Sequence, residues 1–451
     1  MNKLTKILCV ILALIMLVSC STGKKGTNSA SSASKSSSSA DISSQSESEQ
    51  QASSADSSTA QQVSSEANSA GSSSIVLNSG ASEEFGAAFV ADAEKMSNST
   101  YGHPGNPQSY YETLSGERDP WLWPFSRASI WNMPIGSDAK FVSTNFERSR
   151  EFSADGCYLL VTNKNDEYLE IREEGMSNRW PSNWSSLKCF KSTYWPTGFT
   201  ISKNSNMNDC STILQPDGRT YLQMQPTCRH KADSTHVIGH VKYVNRKEYD
   251  VFDIYDTGEL GSHWGSGLSA IGGTIRLGEL IGDEPMRHAL KLNVWADKYL
   301  YWDETNKGFV WPADRSDTKS NSKGINPYLQ EGSLLAIPKS VSMDSLGLKT
   351  EIGKKIFFAL QNYGCYIVDD TTRDCFSLSI DYEAQEEVLD EYGIKMKTFF
   401  NHSNNSQTVD YGNDFMKMVQ ALKVVTNNAR NNPGGGGTPC QPLAPNLPSL
   451  K

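Results

Sequence analysis

Through the middle of the chain apolar and polar residues alternate, and only a few late stretches keep the wider spacing of a helix. Cys157-Tyr158-Leu159-Leu160-Val161-Thr162 and Glu167-Tyr168-Leu169-Glu170-Ile171 flank the polar turn Asn163-Lys164-Asn165-Asp166, which predicts a hairpin. Further strands are expected over 220–224, 235–244, 249–255 and 286–294, with Asn245-Arg246-Lys247-Glu248 as a turn. In the last of these His288, Leu290, Leu292 and Val294 share one face, and Arg287, Lys291 and Asn293 the other. Helical spacing appears over 350–364, where Ile352, Ile356, Phe357, Leu360 and Tyr363 form an apolar stripe. Thr350 is placed to cap that helix, and Gly364 to end it in a left-handed conformation. Two more helices are expected over 383–392 and 414–426. No fixed-period repeat occurs. The sum predicts a mainly β domain, an antiparallel sandwich or jelly-roll-like arrangement with a few helices, of the α+β kind.

The flanks change the picture. Residues 21–99 are rich in Ser, Ala, Gln, Asn and Glu, with almost no aromatic or branched apolar residues before Ile75. Such a composition cannot bury enough apolar surface to offset chain entropy, so 21–100 reads as a disordered tether. A coil of roughly 75 residues spans about 50 Å, enough to carry a domain through a wall layer. All ten Trp residues fall within 101–430, which is long enough for one large core or two smaller ones. Residues 431–451 are Gly- and Pro-rich and read as a flexible tail. The net charge of −9 offers no basic groove, which argues against nucleic acid as a partner.

At the start, Lys3 and Lys6 precede an apolar run over 7–17 that is too short to span a bilayer, and Leu17-Val18-Ser19-Cys20 closes it. This resembles the bacterial lipoprotein signal. The resemblance implies that 1–20 is a signal peptide, that Cys20 becomes the lipidated first residue, and that the protein sits on the cell surface, membrane-anchored and extracytoplasmic.

Nine cysteines occur, and seven remain beyond Cys20. Cys365 and Cys375 flank a turn-like segment and could face each other across a hairpin, with other cysteines left as buried free thiols. Cys189, Cys210 and Cys228 could supply another pair. No spacing reads as a zinc knuckle, and neither a metal nor a cofactor is expected.

Five of the seven histidines lie between His230 and His288. Histidine is the usual proton-transfer group at neutral pH. His236 and His240 have chelating spacing only on a helix. Along a strand they are about 13 Å apart, too far to share an ion, but both project from one face. The glycine-rich run over 261–274 contains His263 and Trp264 and reads as a crossing loop that lines a site, since it lacks both the P-loop ending and the nucleophile-elbow spacing. A base beside Arg287 or Arg276 would suit β-elimination of a uronic acid, the cation neutralising the carboxylate. Alternatively, Asp253, Asp256, Glu259, Asp369 and Asp370 could supply a glycosidase pair, which needs carboxyls roughly 5–9.5 Å apart. Trp180 and Trp184 look like carbohydrate platforms on a loop.

Three stretches together resemble a family of exported, β-rich microbial proteins of unassigned activity. These are Trp131-Asn132-Met133-Pro134-Ile135 with the residues before it, Arg287-His288-Ala289-Leu290, and Asn362-Tyr363-Gly364-Cys365-Tyr366-Ile367-Val368-Asp369-Asp370. The resemblance spans about 123–376 and implies fold and location. Its recurring polar positions fall on His240 or His236, His288 and Asp370. The expected function is action on an extracellular polysaccharide or cell-wall glycan, as a lyase or glycosidase using histidine. The competing expectation is a non-catalytic carbohydrate- or wall-binding surface protein, in which tryptophans carry the affinity.

Overall fold

The computed structural model describes residues 113–173, 189–201, 209–241, 243–244, 247–248, 252–317, 319–400 and 406–449. All fall within the compact unit Val76–Lys451. The expected signal peptide, the tether and the Trp180–Trp184 loop lie outside the described residues.

The strands, in chain order, are β1 (Phe141–Ser143), β2 (Glu151–Val161), β3 (Glu167–Glu173), β4 (Cys189–Trp195), β5 (Cys210–Leu214), β6 (Thr220–Cys228), β7 (His236–Val241), β8 (Tyr243–Val244), β9 (Lys247–Glu248), β10 (Phe252–Asp253), β11 (Leu290–Val294), β12 (Leu334–Ala336), β13 (Cys365–Asp370), β14 (Cys375–Asp381), β15 (Thr398–Phe399) and β16 (Lys423–Val425). Fourteen of them form one sheet, ordered β1-β16-β12-β13-β11-β14-β2-β5-β6-β7-β3-β4, with β10 joined to β6 and β15 to β2. The domain is mainly β with a few helices, as the alternation predicts.

Pairing is mixed, where antiparallel pairing was expected. β2 runs parallel to both β14 and β5, β11 runs parallel to β13, and β3 parallel to β7. The cause lies in burial. β2 is covered on both faces along nearly all its length, as is typical of parallel strands sandwiched between layers. Its neighbours are therefore distant segments. The predicted hairpin of β2 and β3 does not form, because β5, β6 and β7 lie between them. Cys365 and Cys375 likewise do not face each other, because β11 separates β13 from β14. All seven described cysteines are free thiols, so neither of the two possible pairings forms.

Helix Glu351–Asn362 follows its pattern closely. Thr350 Oγ1 accepts from the Gly353 amide, and Gly364 takes φ +78°. Ile352, Ile356, Phe357 and Leu360 are all buried. Helix Tyr382–Tyr392 matches its expected span. The last helix, Ser406–Ala421, starts earlier than expected, and the branched residues after it form β16 instead. Among the described residues no helix is long and apolar enough to cross a membrane.

The tail does not hang free. Leu443, Ala444 and Leu447 are buried, and Arg118 and Arg127 donate to the Pro445 and Ala444 carbonyls. Composition alone misreads this segment, because buried guanidinium groups satisfy its backbone.

Candidate functional site

The centre of the sheet carries charge where an apolar layer would be expected. On β11, Leu290, Leu292 and Val294 enter the large apolar core, while Lys291 and Asn293 point to the opposite face. There Lys291 is fully buried. Its ammonium donates to the Ser269 and Ala270 carbonyls at 3.1 and 2.7 Å, and to His263 Nε2 at 2.8 Å. Three donors meet three acceptors. His263 Nε2 therefore accepts, and the ring proton sits on Nδ1, 3.8 Å from Asp369 Oδ2. Burial, and then the Lys291 charge, hold the His263 pKa well below its usual value, so the ring is neutral. Burial lowers that of Lys291 and raises that of Asp155, whose Oδ2 accepts from Asn293 at 3.1 Å.

The loop that brings His263 here is closed on itself. The Gly267 amide donates to the His263 carbonyl, the His263 amide to Leu268, and the Gly261 amide to Gly267. The Ser266 amide then hangs the loop on the Val368 carbonyl of β13. Two glycines permit the approach. Gly267 has φ +77°, and a Cβ there would strike Asp314 Oδ1. A Cβ on Gly265 would lie 2.8 Å from Glu331 Oε2 and 2.9 Å from Asp369 Oδ1. Two carboxylates thus converge on one point of bare backbone.

Around that point is an acidic group. Glu331 is fully buried. Its Oε1 accepts from the Asp317 amide at 3.1 Å, and its Oε2 has no hydrogen-bond partner. Burial, and then Asp317 and Asp369, push its pKa well above the usual carboxylate range. Asp317 is partly exposed. Burial, reinforced by Asp369 and Asp370, pushes its pKa up to about 7. Asp370 Oδ1 accepts from the Ala296 and Thr372 amides, which fixes it at the start of the short helix Ala296–Tyr299. Trp264, 38% exposed, follows His263 in the loop. Arg315 is held by its own neighbour Asp314 at 2.7 Å.

The sequence-predicted residues divide into separate groups. His263 and Asp369 meet at this centre, with Asp370 beside them. His288 lies elsewhere, 3% exposed, just before β11 rather than on it. Its Nε2 contacts both oxygens of Glu279 at 3.0 and 3.1 Å, and its Nδ1 faces the Ala289 carbonyl. Arg276 joins the same carboxylate at 3.9 Å and donates to the Ile271 carbonyl. Burial alone would raise the Glu279 pKa, but His288 and Arg276 outweigh it and bring it below the usual range. Arg287 lies 5.9 Å from the Phe358 ring. His236 is half-buried on β7, and burial together with Arg172 lowers its pKa. His240 is on the same strand, with its side chain outside the described residues. Of the remaining carboxylates weighed, Asp253 pairs with Arg219 and Glu259 with Arg430.

Sequence reasoning missed Lys291, Asp155, Asp317 and Glu331 as site residues. One signal was present: a lysine and an asparagine alternate with apolar residues in Leu290-Lys291-Leu292-Asn293-Val294, a strand with both faces buried. No protein family, curated protein or solved structure matches the chain.

Proposed function

We propose that this chain is a surface-anchored lipoprotein whose β domain hydrolyses an extracellular polysaccharide, with the acidic group beside Gly265 as its active centre. The lipid anchor rests on Lys3, Lys6 and the Leu17-Val18-Ser19-Cys20 ending. The reaction rests on one observation: Glu331 and Asp369 converge on Gly265, and the backbone amide of the partly exposed Asp317 donates to Glu331 Oε1. A glycosidase needs one carboxyl that keeps its proton near neutral pH and one that does not. Asp317, with a pKa of about 7, suits the acid that protonates the leaving oxygen. Asp369, facing the His263 Nδ1 proton, suits the carboxylate that stabilises or attacks the sugar cation. Glu331, whose pKa burial pushes well above the usual carboxylate range, accepts from the Asp317 backbone amide. His263 is neutral and sealed, so it does not itself transfer protons. Trp264 supplies an apolar ring surface at the rim.

Charge argues for hydrolysis over β-elimination. Elimination from a uronate needs a cation beside the sugar carboxylate. Here the rim is acidic, and Arg315 is occupied by Asp314. Neutral or amino sugars fit such a site better than uronates. The full chain should release reducing ends from a neutral or amino-sugar glycan without forming unsaturated products. Asp317→Asn should lower the rate at least about 100-fold, the usual worth of a positioned acid. An unsaturated product, or full activity in Asp317→Asn, would overturn the assignment.

A further inference from the structure

A second group of side chains shares His263 with that centre. Cys157 on β2 and Cys210 on β5 are direct partners in the parallel register, so their side chains leave the sheet on one face. His263 descends onto the same face from the glycine-rich loop. The two sulfurs and a ring nitrogen of His263 all lie within 4.8 Å of one another, and all three residues are fully buried. Asp155, two residues before Cys157 on the same strand face, is also buried in this neighbourhood.

We propose that Cys157, Cys210 and His263 form a structural site for a thiophilic divalent ion, zinc above all, with Asp155 close by on the same strand face. Two thiolates and an imidazole are the donors that zinc prefers, and zinc–ligand bonds of about 2.0–2.3 Å require only a small contraction of this group. The site is closed to solvent, so the ion would act as a clamp and not as a Lewis acid toward substrate. The ion takes the Nε2 lone pair of His263, from which the Lys291 ammonium must withdraw, and binding converts both thiols to thiolates whose two protons leave to solvent, so affinity rises with pH. The buried Lys291 ammonium offsets part of the thiolate charge, an influence that also acts on Cys210. The clamp fastens the loop carrying His263, Trp264 and Gly265 to β2 and β5. The glycosidase reading does not depend on it.

The test uses the full chain, isolated under reducing conditions and loaded with zinc alone or cobalt alone. The expected result is one tightly held ion per chain, a thiolate-to-cobalt charge-transfer band, and a melting temperature that rises with zinc concentration. Cys210→Ser should weaken binding by more than the roughly 10–100-fold lost with an outer partner, while Cys440→Ser should bind normally. If Cys210→Ser does not fold, the cobalt band and zinc-dependent melting of the unaltered chain decide the matter. The proposal fails if that band is absent, if zinc leaves melting unchanged, if Cys210→Ser binds as tightly, or if intact mass shows Cys157 and Cys210 oxidised to a disulfide.

Discussion

Replacing Asp317 by asparagine tests the electrostatics of the acidic group apart from any substrate. The folded chain raises the Asp317 pKa from 3.8 to about 7 through burial and the neighbouring Asp369 and Asp370. At about 1.4 kcal/mol per pKa unit, a fully sealed group would cost about 4 kcal/mol when ionised. Asp317 keeps partial exposure, so solvent screening reduces this to roughly 1–2 kcal/mol. Because the folded pKa is the higher one, the folded state binds the proton more tightly. The stability from this group is full below about pH 4 and is lost as pH rises through about 7. Asparagine mimics the protonated form and removes that loss. Urea unfolding at pH 5 and pH 8 should show Asp317→Asn gaining on the unaltered chain, with the gap widening at pH 8 and the denaturant slope unchanged. A gap that is equal at both pH values, or a variant less stable at pH 8, would refute the argument.

Other substitutions probe neighbouring parts. Gly265→Ala places a methyl against Glu331, Asp369 and the Val368 carbonyl, and should cost about 1–3 kcal/mol in chemical denaturation while abolishing turnover. Thr350→Ala removes the cap on Gly353 and should cost about 1 kcal/mol, with glycan turnover intact. Glu279→Gln removes the anion that faces both His288 and Arg276; thermal melting should fall by several degrees, and an unchanged melting point would show that this cluster is not held by charge. Trp264→Ala should raise KM for glycan several-fold with kcat little changed, because the partly exposed side chain offers an apolar face to a sugar ring.

Local signals were legible where neighbours in sequence decide the outcome. Thr350, the Ile352–Leu360 stripe and Gly364 name a helix and both of its ends, because capping and periodicity are short-range. Alternation found β3, β6 and β7 for the same reason. Pairing was not legible, since β2 finds β14 and β5 only through distant burial. His288 looked catalytic from its neighbours, yet Glu279, nine residues earlier, engages it in a covered cluster. Conversely, alternation put Lys291 on the polar face of its strand, a face that normally meets solvent. Here the loop over 261–274 covers that face, and its carbonyls accept the ammonium. The acidic centre joins Glu331, Asp317 and Asp369 from separate segments, and no sequence spacing announces such a meeting.

The most direct measurement is hydrolysis of a panel of neutral and amino-sugar glycans by the full chain, followed by reducing ends, across pH 4 to 9, for the unaltered protein and Asp317→Asn. Turnover should fall as pH rises through about 7 and drop at least about 100-fold in Asp317→Asn while the fold is retained. Absence of turnover on every glycan, or a rate and pH profile untouched by Asp317→Asn, would contradict it.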